Sequence, residues 1–406
     1  MHWSSSPALR SGFTTEERDR RWSRVRANMA AADVDLLLVV SQWMAEDALY
    51  LANQNGAVVF PLEGEPALIV GGEGSNRALT GEGWIADRSS ATPRGSTRVA
   101  YGEAVARKLQ ERGLRSKRVA IAGLEGHHLV LVRQPEGTVS YTAVKNILAA
   151  LPGAELVDGT PIVAEARHQK SEAELDVIRE AVRVAEAAGQ ALLRDTRAGA
   201  AQGDVFAAMS TDMLKAGAGE GTMLSWCAGP WGQNKWRYTS PPPGLIGESW
   251  YVDTEIGPTL RGYNCQTEDP LVVGAVDADA QSIWDLGKEA FYRLCEAMKP
   301  GATWGEATRE VKKLETKALG VEFLIHGRGL GNEGPMLIPV DTHKPFQNLP
   351  IVENSVFILK PYAYPNRPDY PHVTRSHSVT WGDTVVVRKS GAERLGTRPH
   401  ELLHIA

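Results

Sequence analysis

The sequence predicts an α/β (α+β) protein built from two domains, and three observations support this. Short apolar runs, suited to buried strands, alternate with segments of helical periodicity along the chain. A length of 406 residues allows two or three domains at about 150 residues each. A connector near residue 166 leads into a long amphipathic segment. We therefore expect an N-terminal domain at 1–165 and a second domain at 166–406.

The elements of the first domain follow from local signals. Thr14, followed three residues later by Glu17, is typical of a capping box and predicts a helix that runs to about Ala32. The other predicted elements of this domain are a strand at 35–40, a hairpin of 57–60 with 67–70, a helix at 102–112 and a strand at 119–122.

The second domain opens with another capping-box pattern, Ser171 with Glu174, before a long amphipathic helix. After it, helices alternate with β-rich stretches. The predicted helices are 204–215, 277–297 and 305–319, and the predicted β-rich stretches lie around 250–273, 354–364 and 376–388.

Composition excludes several classes of protein. Lys plus Arg total 44 against 49 Asp plus Glu, a net charge of −5 with no basic block, so we expect neither nucleic acid nor a membrane surface as a partner. No apolar run reaches the roughly 18 residues of a membrane helix. The N-terminus lacks an apolar leader, and the three cysteines form no CxxC pair, so we expect a reducing, cytoplasmic setting.

Acidic side chains gather on two predicted strands. Asp253 and Glu255 are two residues apart, so their side chains project from one face, and after a turn Gln266 and Glu268 again share a face. Carboxylates that enter one cavity from neighbouring strands are typical of acid–base pairs and metal bridges. A solvated hairpin is the alternative and stays open on these residues alone.

Two other features have both a functional and a structural interpretation. His326 lies in a glycine-rich run, which is a weak signal for a dinucleotide site, and a lone histidine is more often structural. Tryptophans cluster between Trp226 and Trp250. They either pack the core or form an aromatic cage for a substrate.

Taken together, the order of three segments resembles the pita-bread family of creatinase, prolidase, aminopeptidase P and methionine aminopeptidase. The segments are the connector at 167–181, the His326-Gly-Arg-Gly-Leu330 run, and Asp383-Thr-Val-Val-Val387 with Gly391-Ala-Glu-Arg-Leu395. The resemblance implies a creatinase-type N-terminal α/β domain followed by a pita-bread catalytic domain.

The same resemblance implies five metal-ligand positions, which in metal-dependent members hold two Asp, one His and two Glu around two divalent ions. In this chain those positions fall on Glu255, Gln266, His326, Lys360 and Gly382. Only two of them keep a ligand, and a lysine ammonium repels a dication. We therefore expect no metal and no cofactor.

The resemblance to creatinase then predicts a metal-independent hydrolase that cleaves a C–N bond of a small nitrogenous, cationic or zwitterionic metabolite by His/Glu acid–base catalysis. Ectoine hydrolase-like proteins share some of these features. The expected catalytic residues are His326, Glu255, Glu268, Lys360 and Asp253. The expected substrate-binding residues are Trp231, Asn234, Trp236, Tyr238, Gln266, Asp269, Glu333, His372, Arg375 and His377.

Three alternatives remain beside this prediction: a lyase or cyclising enzyme on the same scaffold, a non-catalytic binding protein, and a metal-dependent Xaa-Pro peptidase. The substitutions at Gln266, Lys360 and Gly382 argue against the peptidase. The resemblance also implies a homodimer, and we expect a small molecule as the substrate.

Overall fold

The computed structural model describes residues 13–40, 45–71, 83–92, 98–130, 136–233, 237–337, 346–366 and 379–405. The chain divides into two compact units, which we call the N-terminal unit (Ser4–Ala173) and the C-terminal unit (Glu174–Ala406). Within the described ranges, no helix combines the length and the apolar character that crossing a membrane requires.

The described part of the N-terminal unit is a six-stranded sheet with helices. The strands occur in the order β4-β3-β2-β1-β5-β6, and β1 pairs antiparallel with β2 but parallel with β5. The strands are β1 Leu36–Val39, β2 Ala57–Pro61, β3 Ala67–Val70, β4 Asp87–Ser90, β5 Arg118–Ala122 and β6 Glu155–Asp158. The helices are α1 Thr15–Ala31, α2 Ala45–Ala52, α3 Tyr101–Glu111, α4 Tyr141–Ala150 and α5 Thr160–His168.

The predicted start of the first helix is confirmed. Thr14 is the N-cap of α1, and its hydroxyl accepts a hydrogen bond from the Glu17 amide at 3.4 Å. This bond satisfies one of the amide groups that the first turn of a helix leaves without a partner.

The described part of the C-terminal unit contains two five-stranded sheets, ordered β18-β12-β9-β7-β8 and β14-β13-β15-β16-β17, and a small β10-β11 hairpin. The strands are β7 Met223–Pro230, β8 Arg237–Tyr238, β9 Trp250–Gly257, β10 Thr259–Leu260, β11 Tyr263–Asn264, β12 Thr267–Val273, β13 Leu319–Gly327, β14 Met336–Leu337, β15 Val356–Pro365, β16 Asp383–Arg388, β17 Gly391–Arg394 and β18 Leu403–Ile405. The helices are α6 Glu172–Asp195, α7 Gln202–Ala216, α8 Ala278–Ala297 and α9 Trp304–Lys312.

One predicted helix is too long. The segment 305–319 was expected to be helical throughout, but α9 ends at Lys312 and Leu319 begins β13. Thr303 and Glu306 form a capping box at the helix start. The residues from 319 onward instead pair with β15, and Val321, Phe323 and Ile325, each two residues apart, pack in one hydrophobic core. Core contacts at every second residue favour a strand over a helix.

The two sheets of the C-terminal unit contact each other where β12 passes the residues at the start of β16. Glu268 on β12 and Gly382 exchange two backbone hydrogen bonds, each 3.0 Å long. Two residues before Glu268, the Gln266 amide donates to the Thr384 hydroxyl on β16 at 2.9 Å. These contacts fix the acidic strand of one sheet against the residues that lead into β16 of the other.

Candidate active site

Two neighbouring strands of the first sheet present carboxylates on a common face. Asp253 and Glu255 lie two residues apart on β9, and Glu255 is directly opposite Glu268 on β12. Side chains of directly opposed residues in an antiparallel pair point to the same side of the sheet. Glu268 is fully buried and Asp253 is nearly so. The shared face that the sequence predicted for Asp253, Glu255 and Glu268 is therefore present.

The second sheet contributes Lys360 and His326. Lys360 on β15 is opposite Leu324 on β13, and His326 lies two residues further along β13, so both polar side chains project from the same face. The alternate residues, such as Phe357 and Leu359, belong to the hydrophobic core on the other face. The strand pair thus separates a polar site from an apolar core.

Lys360 connects the two sheets through its charge. Its ammonium nitrogen lies 2.7 Å from a Glu255 oxygen and 3.7 Å from a Glu268 oxygen. We refer to these three residues as the Lys360 cluster. Only 1% of the lysine and 12% of the Glu255 side chain are exposed. Charges so little exposed are tolerated only where they are paired, so the three residues depend on one another.

An arginine closes the more accessible side of the cluster. Arg237 on β8 donates to the Ser225 hydroxyl at 2.6 Å, and its guanidinium nitrogens lie 3.1 Å from Asp253 and 3.2 Å from Glu255. Its side chain keeps 27% of its surface exposed. Arg237 is therefore a cation that solvent, and hence a substrate, can reach beside the buried carboxylates.

A second arginine occupies the side of the site that contains Gln266. Arg328 donates to the side-chain oxygens of Gln266 and of Asn332. Burial lowers the pKa of Arg328 to about 10, and the nearby charge of Glu255 opposes that shift. The guanidinium therefore stays charged at neutral pH.

The five positions that correspond to metal ligands do not form a ligand set for two divalent ions. Glu255 is already engaged with Lys360, Arg237 and Ser225, and the Gln266 side-chain oxygen accepts from Arg328. A Cβ atom on Gly382 would lie 2.6 Å from Lys360 Cγ and 3.2 Å from Glu268 Cβ, so no larger side chain fits there without movement. Hard cations need several anionic oxygens, whereas ammonium and guanidinium groups occupy this space.

Two of the predicted substrate-binding residues have other partners. Asp269 lies on the opposite face of β12 from Glu268, where it forms an ion pair with Arg398 and faces Gly189 of α6. The Glu333 carboxylate accepts the Leu330 amide at 3.1 Å and so holds the glycine-rich turn after His326. Asp269 therefore faces away from the Lys360 cluster and is paired with Arg398 instead.

The aromatic residues near the site pack on neighbouring strands. The Trp231 ring lies 4.8 Å from the Tyr251 ring, measured between centroids, and packs against the hydrophobic core. Tyr238 is opposite Trp226 across the β7-β8 pair. Five of the predicted site residues lie outside the described residues, namely Asn234, Trp236, His372, Arg375 and His377.

Sequence reasoning missed both arginines of the site. Arg328 lies inside the His326-Gly-Arg-Gly run, in which only the histidine and the glycines were interpreted. Arg237 lies inside the tryptophan-rich segment, directly after Trp236. A charge count around each expected buried carboxylate would have indicated the need for such cations, because buried carboxylates require partners.

Comparisons with known proteins identify relatives of this chain. The family model of metallopeptidase family M24 matches residues 176–389, more than half of the chain. The Xaa-Pro dipeptidase of Pyrococcus furiosus is 24% identical over 278 residues, which cover 66% of this chain and 74% of that protein. The creatinase of a Bacillus species is 23% identical over 419 residues, covering 95% and 92%. The X-Pro aminopeptidase from Thermotoga maritima superposes with a TM-score of 0.72 at 18% identity, covering 93% and 100%.

These relatives contradict the function that the sequence analysis predicted. A metal-independent, creatinase-like hydrolase was preferred and a metal-dependent Xaa-Pro peptidase was argued against, yet relatives named Xaa-Pro dipeptidase and X-Pro aminopeptidase are among the matches. The prediction weighed three substituted ligand positions above the similarity of the whole chain. The coarser expectation of a hydrolase agrees with the relatives, which are named as peptidases and a creatinase.

Proposed function

Because the chain belongs to metallopeptidase family M24, we propose that it is a hydrolase that cleaves the amide bond of a short peptide of the Xaa-Pro type. The names of its dipeptidase and aminopeptidase relatives support this substrate class. The comparison with the Pyrococcus dipeptidase covers 66% of this chain and 74% of that protein. The family match at 176–389 includes Glu255, Glu268, His326 and Lys360.

The observation that carries the proposal is the position of Lys360 between two carboxylates, 2.7 Å from Glu255 and 3.7 Å from Glu268. Hydrolysis of an amide builds negative charge on the carbonyl oxygen. A fixed ammonium group in a site that excludes water stabilises that charge more strongly than it would in solvent. Lys360 is the cation of this site that is best placed for the task.

Amide hydrolysis also needs a base for the attacking water and an acid for the departing amine. We assign the base to a carboxylate of the Lys360 cluster, Glu255 or Glu268, because both lie beside the same cation. We assign the acid to His326, which projects from the same face as Lys360. In this proposal Asp253 positions Arg237, since the two are 3.1 Å apart.

The charges around the cluster suit the two ends of a dipeptide. The partly exposed Arg237 offers a partner for the terminal carboxylate, and planar guanidinium groups bind carboxylates through two parallel hydrogen bonds. The acidic face of β9 offers a partner for the terminal ammonium group. Gln266, Trp231 and Tyr238 remain proposed contacts of the substrate at the edges of this site.

The test is a direct assay of proline release. The purified chain is incubated with Leu-Pro, Met-Pro and Gly-Pro, and with Leu-Gly as the control dipeptide, both with and without added Mn²⁺ so that no substrate is missed for lack of a metal. We expect Xaa-Pro dipeptides to be cleaved faster than Leu-Gly. No proline release under either condition would contradict the proposal.

A matched pair of variants links the activity to the site. Lys360→Met removes the ammonium while keeping the length of the side chain, and we expect kcat to fall by about 10²–10³-fold. Lys312→Met is the control, because Lys312 forms ion pairs with Glu315 and Glu322 away from the site. Equal activity of the two variants would remove Lys360 from the mechanism.

We further propose that the protein acts in the cytoplasm and as a homodimer. The three cysteines are free and buried, which suits a reducing compartment. The dimer rests on the resemblance to creatinase-type proteins. Sedimentation of the purified chain tests the dimer directly.

A further inference from the structure

The N-terminal unit contains a cluster of ligand-type side chains that the proposed function does not use. His127 and His128 follow β5 on a loop, and Glu165 lies on α5. One ligand atom of each lies within 4.8 Å of the others, and the described part of the chain contains no other group of His, Cys, Asp or Glu that meets this criterion. We propose that these three side chains, which we call the His127 cluster, bind a divalent transition-metal ion, with zinc as the expected occupant.

The separations fit an ion better than they fit direct contact. The distance from His127 Nε2 to Glu165 Oε1 is 3.9 Å, which is too long for a hydrogen bond. Two ligand atoms that each lie 2.0–2.1 Å from a tetrahedral zinc ion are about 3.3 Å apart, so a small movement of side chains closes the site. The His127 and His128 rings, with centroids 4.1 Å apart, stand on the same side of the loop.

The ligands are held in place by contacts that do not involve an ion. Leu129 and Val130 pack against Ala164, the residue before Glu165, in a small apolar cluster. At the other end of the loop, the Thr160 hydroxyl of α5 accepts the Gly123 amide at 2.8 Å. The loop and the helix are therefore already docked on each other, so binding an ion does not require the chain to be reorganised.

The chemistry of the donors favours a transition metal. Imidazole nitrogens and one carboxylate oxygen suit zinc and its neighbours, whereas calcium and magnesium prefer oxygen alone. An imidazole ring binds a metal ion in its neutral form, and both histidines are partly withdrawn from solvent.

Binding has one identifiable cost. The Leu129 amide donates to His127 Nδ1 at 3.2 Å, so the ring proton resides on Nε2 in the absence of an ion. Coordination through Nε2 moves that proton to Nδ1 and breaks this hydrogen bond. Three protein ligands leave a fourth position to water, so we expect zinc to bind reversibly, with a lower affinity than a four-ligand structural site.

The experiment measures zinc binding by the full chain, independent of peptidase activity. The protein is stripped with a chelator and titrated with Zn²⁺ by calorimetry, and with Co²⁺ by visible absorption. His128→Asn and Glu165→Gln each remove one ligand at partly exposed positions. His404→Asn is the matched control, since His404 is exposed on β18 in the C-terminal unit.

We expect the original chain and His404→Asn to bind one equivalent of zinc with the same affinity. We expect His128→Asn and Glu165→Gln to bind zinc at least tenfold more weakly. We also expect zinc to raise the melting temperature of the original chain more than that of either ligand variant. Equal zinc binding by all four proteins, or no binding by any of them, would overturn the proposal. Circular dichroism of the two ligand variants confirms that a loss of binding is not a loss of fold.

Discussion

Lys360 and Glu255 belong to different β-sheets, and their charged atoms meet at 2.7 Å in the interior of the C-terminal unit. The contact therefore does more than neutralise a buried carboxylate. It ties β15 of one sheet to β9 of the other, beside the point where Glu268 and Gly382 exchange backbone hydrogen bonds. The chemistry proposed for the site and the cohesion of the two sheets depend on the same lysine.

Replacing Lys360 is expected to destabilise the fold as well as to lower activity. Lys360→Met leaves Glu255 and Glu268 without their shared cation, and breaking a buried ion pair typically costs about 3–5 kcal/mol. Urea denaturation followed by circular dichroism measures the change in the free energy of unfolding. The control Lys312→Met, whose ion pairs are partly exposed, is expected to lose about 1 kcal/mol or less. Equal losses would mean that the Lys360 pair is no more important than a surface pair.

Gly382 is expected to tolerate no side chain. A Cβ atom at this position would lie 2.6 Å from Lys360 Cγ, so Gly382→Ala should cost about 1–3 kcal/mol through overpacking and should reduce activity by displacing the lysine. The matched control is Gly287→Ala in α8, where a Cβ atom meets no other atom within 4 Å. That variant is expected to gain roughly 0.5–1 kcal/mol. Thermal unfolding distinguishes the two, and a neutral Gly382→Ala would show that the site adjusts more easily than its packing indicates.

Arg237 is expected to require its guanidinium group. Arg237→Lys keeps the charge but cannot reach Ser225, Asp253 and Glu255 together, so we expect kcat/KM to fall by about ten- to a hundredfold, which corresponds to one or two charge-assisted hydrogen bonds. Arg194→Lys provides the control, because Arg194 pairs with Asp195 and Asp212 at the surface. The measurement is steady-state kinetics with the dipeptide that the original chain cleaves fastest. Unchanged kinetics in Arg237→Lys would count against a role of Arg237 in substrate binding.

Acid is expected to destabilise the C-terminal unit through His400. Burial lowers the pKa of His400 to about 3, and the charges of Arg394, Lys288 and Arg398 add to the shift. The unfolded chain, with a histidine pKa near 6.5, then binds more protons than the native chain between these values, so stability falls as the pH drops below 6.5. From pH 7 to pH 5 this single group contributes a loss of about 2 kcal/mol.

The variant His400→Phe tests that contribution, because an aromatic ring can retain the stacking on Trp381, whose ring centroid is 3.8 Å away. We expect its stability to fall by about 2 kcal/mol less than that of the original chain between pH 7 and pH 5. His404→Phe, at an exposed position of β18, serves as the control and should keep the original pH dependence. If the stability of His400→Phe depends on pH as that of the original chain does, groups other than His400 cause the acid sensitivity.

The fold could be predicted from the sequence because its signals are local and agree with one another. The resemblance to the pita-bread family is confirmed by the family match, as is the mixed α/β class. The β-rich stretch predicted around 250–273 contains β9 and β12, and the predicted turn has positive φ angles at Arg261 and Gly262. These features depend on residues that are close in the sequence.

The arginine beside Gln266 could not be predicted in the same way. Arg328 meets Gln266 across 62 residues. Such pairs depend on how two sheets approach each other, which the pattern along one strand does not contain. The overlong helix at 305–319 has a related cause, since its last predicted residue, Leu319, pairs with Pro365 of β15 and begins a strand.

The ion pair between Asp269 and Arg398 also has a consequence for how the C-terminal unit folds while the chain is being synthesised. Its partners are 129 residues apart, and Arg398 also donates to the Gly382 carbonyl at 2.8 Å, while β18 nearby pairs in parallel with β12. A ribosome therefore completes the acidic strand long before it makes the arginine that neutralises Asp269. Until residues 398–405 have left the exit tunnel, Asp269 lacks its partner Arg398, and β12 lacks its parallel neighbour β18.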